Sequence, residues 1–124
     1  MSIVYTGEKH CRLTHGPSKS TIETDAPKDN QGRGESFSPT DLIGAALASC
    51  VLTTMAIVAA REGIAFEGGD AKIAKEMQPS PRRIKRLPLV VQMPKGLNAE
   101  ARRKLEHAAL NCPVKLSLHP DVET

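Results

Sequence analysis

One long apolar segment constrains this chain more than any other feature. No charged residue lies between Asp41 and Arg61, and most residues of this interval are Ala, Leu, Val, Ile or Met. Apolar positions at helical spacing predict a helix that is apolar on nearly every face. Such a helix must be covered on nearly every face. We therefore expect a sheet on one side of it and a second subunit on the other.

Local signals set both ends of this predicted helix. Ser38 is a suitable N-cap and Pro39 suits the first helical position. The Asp41 side chain can reach back to the start of the helix and form a shortened capping box. Its negative charge also lies near the positive end of the helix dipole. The helix is expected to run to about Glu62 and to end at Gly63. The apolar run Ala45–Ala60 within it is too short, and too rich in Ala and Thr, to predict a membrane span.

Composition favours a small intracellular domain. The 124 residues suit one domain over 1–124, and only 2% are aromatic, so the core must consist of aliphatic residues. The net charge of +3 is too small to demand a nucleic-acid or membrane partner. The densest basic run, Arg82–Arg86, has no aromatic side chains nearby for base stacking, and we interpret it as a solvated strand face.

The cysteine count points to a reducing compartment. The chain has three cysteines, and its first residues, MSIVYTGEKH, lack the basic and apolar regions of a secretory signal. An odd number of thiols without such a signal is typical of the cytoplasm. A cysteine pair there is expected to be redox-active or incidental rather than a permanent disulfide.

Strands and helices occupy separate parts of the sequence, which predicts an α+β fold with an antiparallel sheet. Strands are predicted within residues 1–25, including a hairpin of KHCRLTH and STIET, and a loop follows over 26–37. Two further strands are expected, DAKIAKEM and RRIKRLPLVVQM, with Pro88 forcing an edge or a bulge. Asn98 caps a helix over 99–111, and Pro113 opens a short final helix.

Two thiols occupy different predicted environments. Cys112 precedes Pro113 and would lie at the N-cap of the short helix, where free amides and the dipole favour a thiolate. Cys50 lies in the apolar helix, where desolvation alone disfavours the charged form and leaves the thiol inert. A reactive Cys50 therefore needs a cation from another element, and Arg12 and Arg33 are the candidates.

Two plainer interpretations compete with reactive thiols. Free cysteines are among the most buried residues, so both can be core filler. A metal site would draw on histidines and cysteines, namely His10, Cys11, His15, His107, Cys112 and His119. These residues lack the close pairs that characterise zinc sites, so we predict neither a metal nor a cofactor.

Two motifs make the sequence recognisable. SPTDLIGAALASCVLTTM, followed some sixty residues later by LEHAALNCPVKLSL, resembles the OsmC/Ohr family, and specifically its broad OsmC-like branch. The resemblance extends from THGPS near the start to SLHPDVE near the end. It implies an intertwined α+β homodimer in which the long helices pack centrally. Relatives commonly carry one more strand after the position of DVET, so we expect either a shorter sheet here or a last strand that lies outside this sequence.

The resemblance also implies an activity. Family members are thiol-dependent peroxidases of organic and inorganic hydroperoxides, in which the cysteine at the position of Cys50 is peroxidatic and that at Cys112 resolves it. The expected partners are a hydroperoxide substrate and an external dithiol reductant. Apolar residues near the thiols would suit an alkyl hydroperoxide tail, namely Ala46, Val51, Met55 and Leu105.

The sequence departs from the family pattern at the charged pair beside the reactive thiol. The peroxidases pair an Arg with a Glu there, and Thr40 occupies the usual Glu position. Glu35 lies just upstream, while Arg12 fits an Ohr-like placement and Arg33 an OsmC-like one. The implied catalytic set is Cys50, Cys112, Arg12, Arg33 and Glu35. The alternative is a non-catalytic dimer that binds a small apolar or thiol ligand.

Overall fold

Small antiparallel sheets and three helices make up the chain, and the predicted α+β class is confirmed. The computed structural model describes every residue from Met1 to Thr124. Contacts group these residues into two compact units, 1–43 and 44–124, which are described in turn. The assignment of residues 1–124 to one domain stays a prediction.

The first unit is built on a three-stranded antiparallel sheet. Its strands are β1 (Ser2–Gly7), β2 (His10–Thr14) and β3 (Thr21–Asp25), with β2 in the centre. The β2–β3 hairpin is the one that the sequence predicts, and β1 extends it by a third strand. The register places His10 directly opposite Asp25. This pair lies at the end of the sheet where the chain leaves β3.

The loop after β3 stays attached to the sheet through hydrogen bonds. It contains a single 3₁₀ turn at Lys28–Asn30. The carboxylate of Asp25 accepts a hydrogen bond from the backbone N–H of Glu35 at 3.0 Å. The backbone N–H of Asp25 donates to the carbonyl of Phe37 at 3.1 Å. The loop thus begins and ends beside the same residue of β3.

The long helix α1 (Pro39–Glu62) begins at the predicted capping box. The backbone N–H of Asp41 donates to Ser38 Oγ at 3.1 Å, and the backbone N–H of Ser38 donates to Asp41 Oδ2 at 2.8 Å. Each side chain satisfies a backbone donor of the other residue, which is the reciprocal arrangement of this motif. The predicted N-terminus of the helix is therefore confirmed.

The C-terminus of α1 is a Schellman motif. Gly63 has φ of +67°, a left-handed conformation that glycine adopts without a Cβ clash. The N–H of Gly63 donates to the carbonyl of Ala60 at 3.5 Å, and that of Ile64 donates to Ala59 at 2.8 Å. This pair of bonds satisfies the last carbonyls of the helix. Gly63 is thus the helix terminator that the sequence predicts.

Only one face of α1 is buried within the chain. The buried positions follow helical spacing and are Gly44, Leu47, Ala48, Val51, Met55 and Ala59. Large apolar side chains on other faces stay exposed, with Ile43 at 42% and Ile57 at 54%. By length and composition alone α1 could cross a membrane, a test that core helices of soluble proteins also pass. These exposed faces of α1 agree with the prediction that the helix needs further cover.

The second unit contains four short strands rather than the two that the sequence predicts. They are β4 (Asp70–Ile73), β5 (Glu76–Pro79), β6 (Arg82–Arg86) and β7 (Leu89–Gln92), and β4 pairs with β7 while β5 pairs with β6. Each predicted strand is broken once. The second break is at Leu87 and Pro88, where proline has no N–H for a ladder and the Leu87 side chain is fully buried.

Two helices complete the second unit. Asn98 caps α2 (Ala99–Leu110) through a 2.8 Å hydrogen bond from the N–H of Ala101 to Asn98 Oδ1, as predicted. The short helix α3 (Pro113–Ser117) follows with Pro113 at its start. Both helices contribute to one core with α1, whose buried members are Leu47, Val51, Met55, Ala59, Leu87, Leu105, Ala108 and Cys112.

The capping box of α1 gives a stability prediction. Replacing Ser38 by Ala removes the side-chain acceptor for the Asp41 amide, and we expect the free energy of unfolding to fall by about 1 kcal/mol. Urea unfolding followed by circular dichroism measures this change. Ser49→Ala is the matched control, because Ser49 is exposed in the middle of the same helix. Equal stability of the two variants would contradict the capping role.

Candidate functional site

Cys112 lies at the N-cap of α3, as its position before Pro113 predicts. Its side chain is fully buried and belongs to the apolar core. The backbone N–H of Lys115 donates a hydrogen bond to Cys112 Sγ at 3.4 Å. The sulfur therefore replaces the hydroxyl or carboxylate oxygen that usually caps a helix start.

Burial determines the protonation of Cys112. Desolvation raises the pKa of the Cys112 thiol above its ordinary value of 9.0, against the opposing effect of the Lys115 amide. A hydrogen bond with Cys50 and the charge of its thiolate raise this pKa further. The prediction that the helix start makes Cys112 a thiolate is therefore wrong. One amide and a short helix dipole do not offset removal of the sulfur from water.

Cys50 meets Cys112 in the core of the second unit. It lies on α1, is half-buried and packs against the buried cluster that contains Cys112. The thiol of Cys50 is near enough to Cys112 to raise the pKa of the Cys112 thiol. Thr54, one helical turn further on, places its Oγ1 4.0 Å from Cys50 Sγ. Both cysteines are free thiols.

The predicted charged residues all lie in the first unit and already have partners there. Arg12 on β2 contacts Glu23 on β3 through Nη2 at 3.0 Å and Nε at 3.2 Å. Arg33 in the loop contacts Glu8 at 3.0 Å and Glu35 at 3.6 Å. Each arginine is therefore held beside a carboxylate. Their action on Cys50 stays a prediction.

Thr40 takes part in the helix start rather than in an ion pair. Its hydroxyl oxygen lies 3.1 Å from Ser38 Oγ. A hydroxyl carries no charge and cannot bind a guanidinium as a carboxylate does. The carboxylates that contact the two candidate arginines are instead Glu23, Glu8 and Glu35.

The apolar residues predicted around the thiols divide into two groups. Val51, Met55 and Leu105 are buried in the core with Cys112, whereas Ala46 is exposed. Of the four, Val51 also borders a cavity of about 190 Å³ beside α3, lined by Leu47, Val51, Leu89, Val91, Ala109, Leu110, Lys115 and Thr124. Sequence reasoning missed Leu89 and Val91, because strand β7 reaches the thiol-bearing helices only through the fold.

Comparisons with known proteins agree with this architecture. The model of a family described as OsmC-like protein matches residues 32–124. No curated protein sequence matches the chain. A candidate osmotic stress induced and detoxification response protein from Psychrobacter arcticus is 38% identical, with a TM-score of 0.94 over 99% of this chain and 90% of the other.

Two more distant structures share the fold. An organic hydroperoxide resistance protein OsmC from Legionella pneumophila is 18% identical, with a TM-score of 0.73 over 99% of this chain and 93% of the other. The organic hydroperoxide resistance protein OhrB of Bacillus subtilis is 20% identical, with a TM-score of 0.67 over 98% of this chain and 92% of the other. At these identities the likeness establishes the fold.

The raised pKa of Cys112 predicts a dependence of stability on alkaline pH. Above about pH 9 the unfolded chain loses the thiol proton while the folded chain keeps it, so this contribution to stability is present below the ordinary pKa and is lost as pH rises. Urea midpoints measured from about pH 8 to about pH 10 should fall more steeply for the wild type than for Cys112→Ala. Cys11→Ser is the control and should keep the wild-type slope. Equal slopes for the wild type and Cys112→Ala would refute this prediction.

Proposed function

The chain belongs to the OsmC-like protein family, and we propose that it is a thiol-dependent peroxidase that reduces organic hydroperoxides. In this proposal Cys50 is the peroxidatic residue and Cys112 resolves its oxidised form. The Psychrobacter protein is described as an osmotic stress and detoxification response protein. The more distant relatives are described as organic hydroperoxide resistance proteins. These descriptions are consistent with peroxide reduction.

The observation that carries the proposal is the contact between Cys50 and Cys112. The two thiols come from different elements, α1 and the start of α3, yet both lie at one apolar core, and Cys50 is near enough to raise the pKa of Cys112. They also differ in exposure, because Cys50 is half-buried while Cys112 is fully buried. A substrate can therefore approach Cys50, whereas Cys112 is placed to react with what forms there. Two-cysteine peroxidase chemistry needs this division of roles.

The first chemical step is nucleophilic attack by the Cys50 thiolate. The sulfur attacks the terminal oxygen of the hydroperoxide, the O–O bond breaks, and the alkoxide leaves with a proton as an alcohol. The sulfur is oxidised to a sulfenic acid and the peroxide is reduced. One hydroperoxide is consumed and one alcohol is released for each Cys50 that is oxidised.

The second step forms a disulfide. Cys112 attacks the sulfenic sulfur of Cys50 and water leaves with the thiol proton. While Cys50 is a thiolate, its charge helps to keep Cys112 protonated; a neutral sulfenic acid at Cys50 removes that charge effect. Oxidation of Cys50 therefore favours ionisation of Cys112 at the stage when the resolving thiol is needed. An external dithiol then reduces the disulfide by exchange and becomes oxidised itself.

An arginine supplies the positive charge that Cys50 lacks within its own helix. Arg12 and Arg33 are the candidates, each beside a carboxylate; Arg33 contacts both Glu8 and Glu35. A guanidinium near the sulfur would stabilise the thiolate before attack and the departing alkoxide during it. The need for a thiol reductant agrees with a reducing cytoplasm as the place of action.

A homodimer forms part of the proposal. Exposed apolar side chains occur on β1, α1 and α3, including Ile3 at 59%, Ile57 at 54% and Leu116 at 69%. Apolar surface of this kind commonly marks an interface. A second subunit over the exposed faces of α1 would supply the cover that the sequence requires. Sedimentation as a monomer at micromolar concentration would contradict this part.

Peroxidase activity with tert-butyl hydroperoxide and a dithiol reductant tests the proposal. We expect Cys50→Ser to abolish turnover, because no thiol remains to attack the peroxide. Cys112→Ser should still consume one equivalent of peroxide and leave a sulfenic acid on Cys50 that dimedone labels. Its turnover with dithiol should fall at least about tenfold, because resolution then depends on an external thiol.

Cys11→Ser is the matched control for both variants and should keep wild-type turnover. Cys11 is a free thiol on β2, in the other unit of the chain. Retained turnover in Cys50→Ser would remove Cys50 from the mechanism. Absence of turnover in the wild type, with no sulfenic acid on Cys50 after peroxide, would favour the non-catalytic alternative that binds a small apolar or thiol ligand.

Glutamine substitutions identify the activating arginine. We expect either Arg12→Gln or Arg33→Gln to lower the rate of peroxide reduction at least about tenfold, because glutamine retains polarity but not charge. Rapid-mixing kinetics of thiol oxidation measure this rate. Arg102→Gln is the control, since Arg102 forms a comparable surface ion pair with Glu106 at 2.9 Å on α2. Unchanged rates in both test variants would exclude arginine activation by these residues.

A further inference from the structure

Three potential metal ligands converge at the end of the first sheet, apart from both thiols of the proposed reaction. His10 begins β2, Asp25 ends β3, and Glu35 lies in the following loop. One ligand atom from each lies within 4.8 Å of the others. Their side chains range from fully buried for Asp25, through 21% exposed for His10, to 54% for Glu35. The cluster is therefore closed to solvent at Asp25 and open to solvent at Glu35.

The hydrogen bond of His10 fixes its tautomer. His10 Nδ1 lies 2.9 Å from the carbonyl oxygen of Glu8. A carbonyl only accepts hydrogen bonds, so Nδ1 must carry the proton and donate it. In the neutral ring, Nε2 then presents a lone pair. A backbone carbonyl on the far nitrogen is also the usual support for a metal-ligating histidine.

That lone pair faces two carboxylates. Nε2 lies 3.6 Å from Asp25 Oδ2 and 3.6 Å from Glu35 Oε2. Neutral nitrogen and anionic oxygens repel one another at this separation, so either a proton on Nε2 or a metal ion would stabilise the arrangement. A proton on Nε2 would favour one short hydrogen bond of about 2.8 Å, and neither distance is that short.

The spacing suits a tetrahedral metal ion instead. Bonds of about 2.1 Å in a tetrahedral site separate neighbouring ligand atoms by about 3.4 Å, close to the distances from Nε2 to the two oxygens. Asp25 gives a second, independent indication. Its side chain is fully buried, and its Oδ1 has no hydrogen-bond partner. A buried carboxylate oxygen without a partner is costly unless a cation compensates it.

We propose that His10, Asp25 and Glu35 bind a divalent transition-metal ion, with Zn²⁺ as the preferred ion and water completing its coordination. One imidazole and two carboxylates suit Zn²⁺, whereas Mg²⁺ and Ca²⁺ prefer oxygen ligands alone. The ion joins β2, β3 and the loop in one site. Its role is structural, because it fastens residues 26–37 to the sheet. Glu35 can also keep its contact with Arg33, which involves the other carboxylate oxygen.

Calorimetric titration of chelator-treated, dialysed protein with ZnCl₂ tests the site. We expect one equivalent of Zn²⁺ per chain and a rise in melting temperature on binding. His10→Gln and Asp25→Asn should each weaken binding at least about tenfold. His107→Gln is the matched control and should bind as the wild type, because His107 is exposed on α2. Far-UV circular dichroism checks folding, and the partly exposed His10 provides the decisive variant if Asp25→Asn does not fold.

Thiols also bind zinc. A cysteine-free variant therefore distinguishes zinc binding at the cysteines from zinc binding at His10, Asp25 and Glu35. Replacing Cys11, Cys50 and Cys112 by Ser should leave the binding intact. The Co²⁺ form of the wild type should show ligand-field bands without sulfur-to-metal charge transfer. No binding to the wild type, or binding retained in His10→Gln and lost in the cysteine-free variant, would overturn the proposal. The three residues would then be an ion-pair cluster around a protonated His10.

Discussion

The contact between Cys50 and Cys112 is the interaction on which the proposed chemistry depends. It forms because α3 begins at a buried cysteine and because α1 presents its own cysteine to the same core. The surrounding aliphatic side chains withdraw Cys112 from water and raise its pKa, so the resolving thiol rests in its neutral form. A protonated, inaccessible resolving residue is protected from direct oxidation, since the thiolate is the form that reacts.

The two units contain different groups of the proposed sites. The second unit contains the thiols and the apolar core, whereas the first contains the arginines, their carboxylate partners and the proposed metal site. In the proposed mechanism, an arginine from outside α1 activates Cys50. The exposed faces of α1 favour the proposed dimer.

Local signals explain what the sequence could predict. Ser38 with Asp41, Asn98 and Gly63 act within a few residues of their own positions, so the helix ends follow directly from the sequence. Strand breaks depend on which segment pairs with which, so the sequence predicts an edge or a bulge at Pro88 but not the division into β6 and β7. The protonation of Cys112 was predicted wrongly for a related reason, because burial is set by residues distant in sequence. The same applies to Asp25, which reaches His10 only through the β2–β3 register.

The most direct test of the central claim is peptide mapping after oxidation. Reduced protein is mixed with one equivalent of tert-butyl hydroperoxide, the remaining thiols are blocked, and the digest is examined by mass spectrometry without reduction. The account predicts one dominant crosslinked pair, the Cys50 peptide joined to the Cys112 peptide, with Cys11 recovered as a blocked thiol. Oxidation confined to Cys11, or Cys50 and Cys112 both recovered as blocked thiols after the peroxide is consumed, would contradict it.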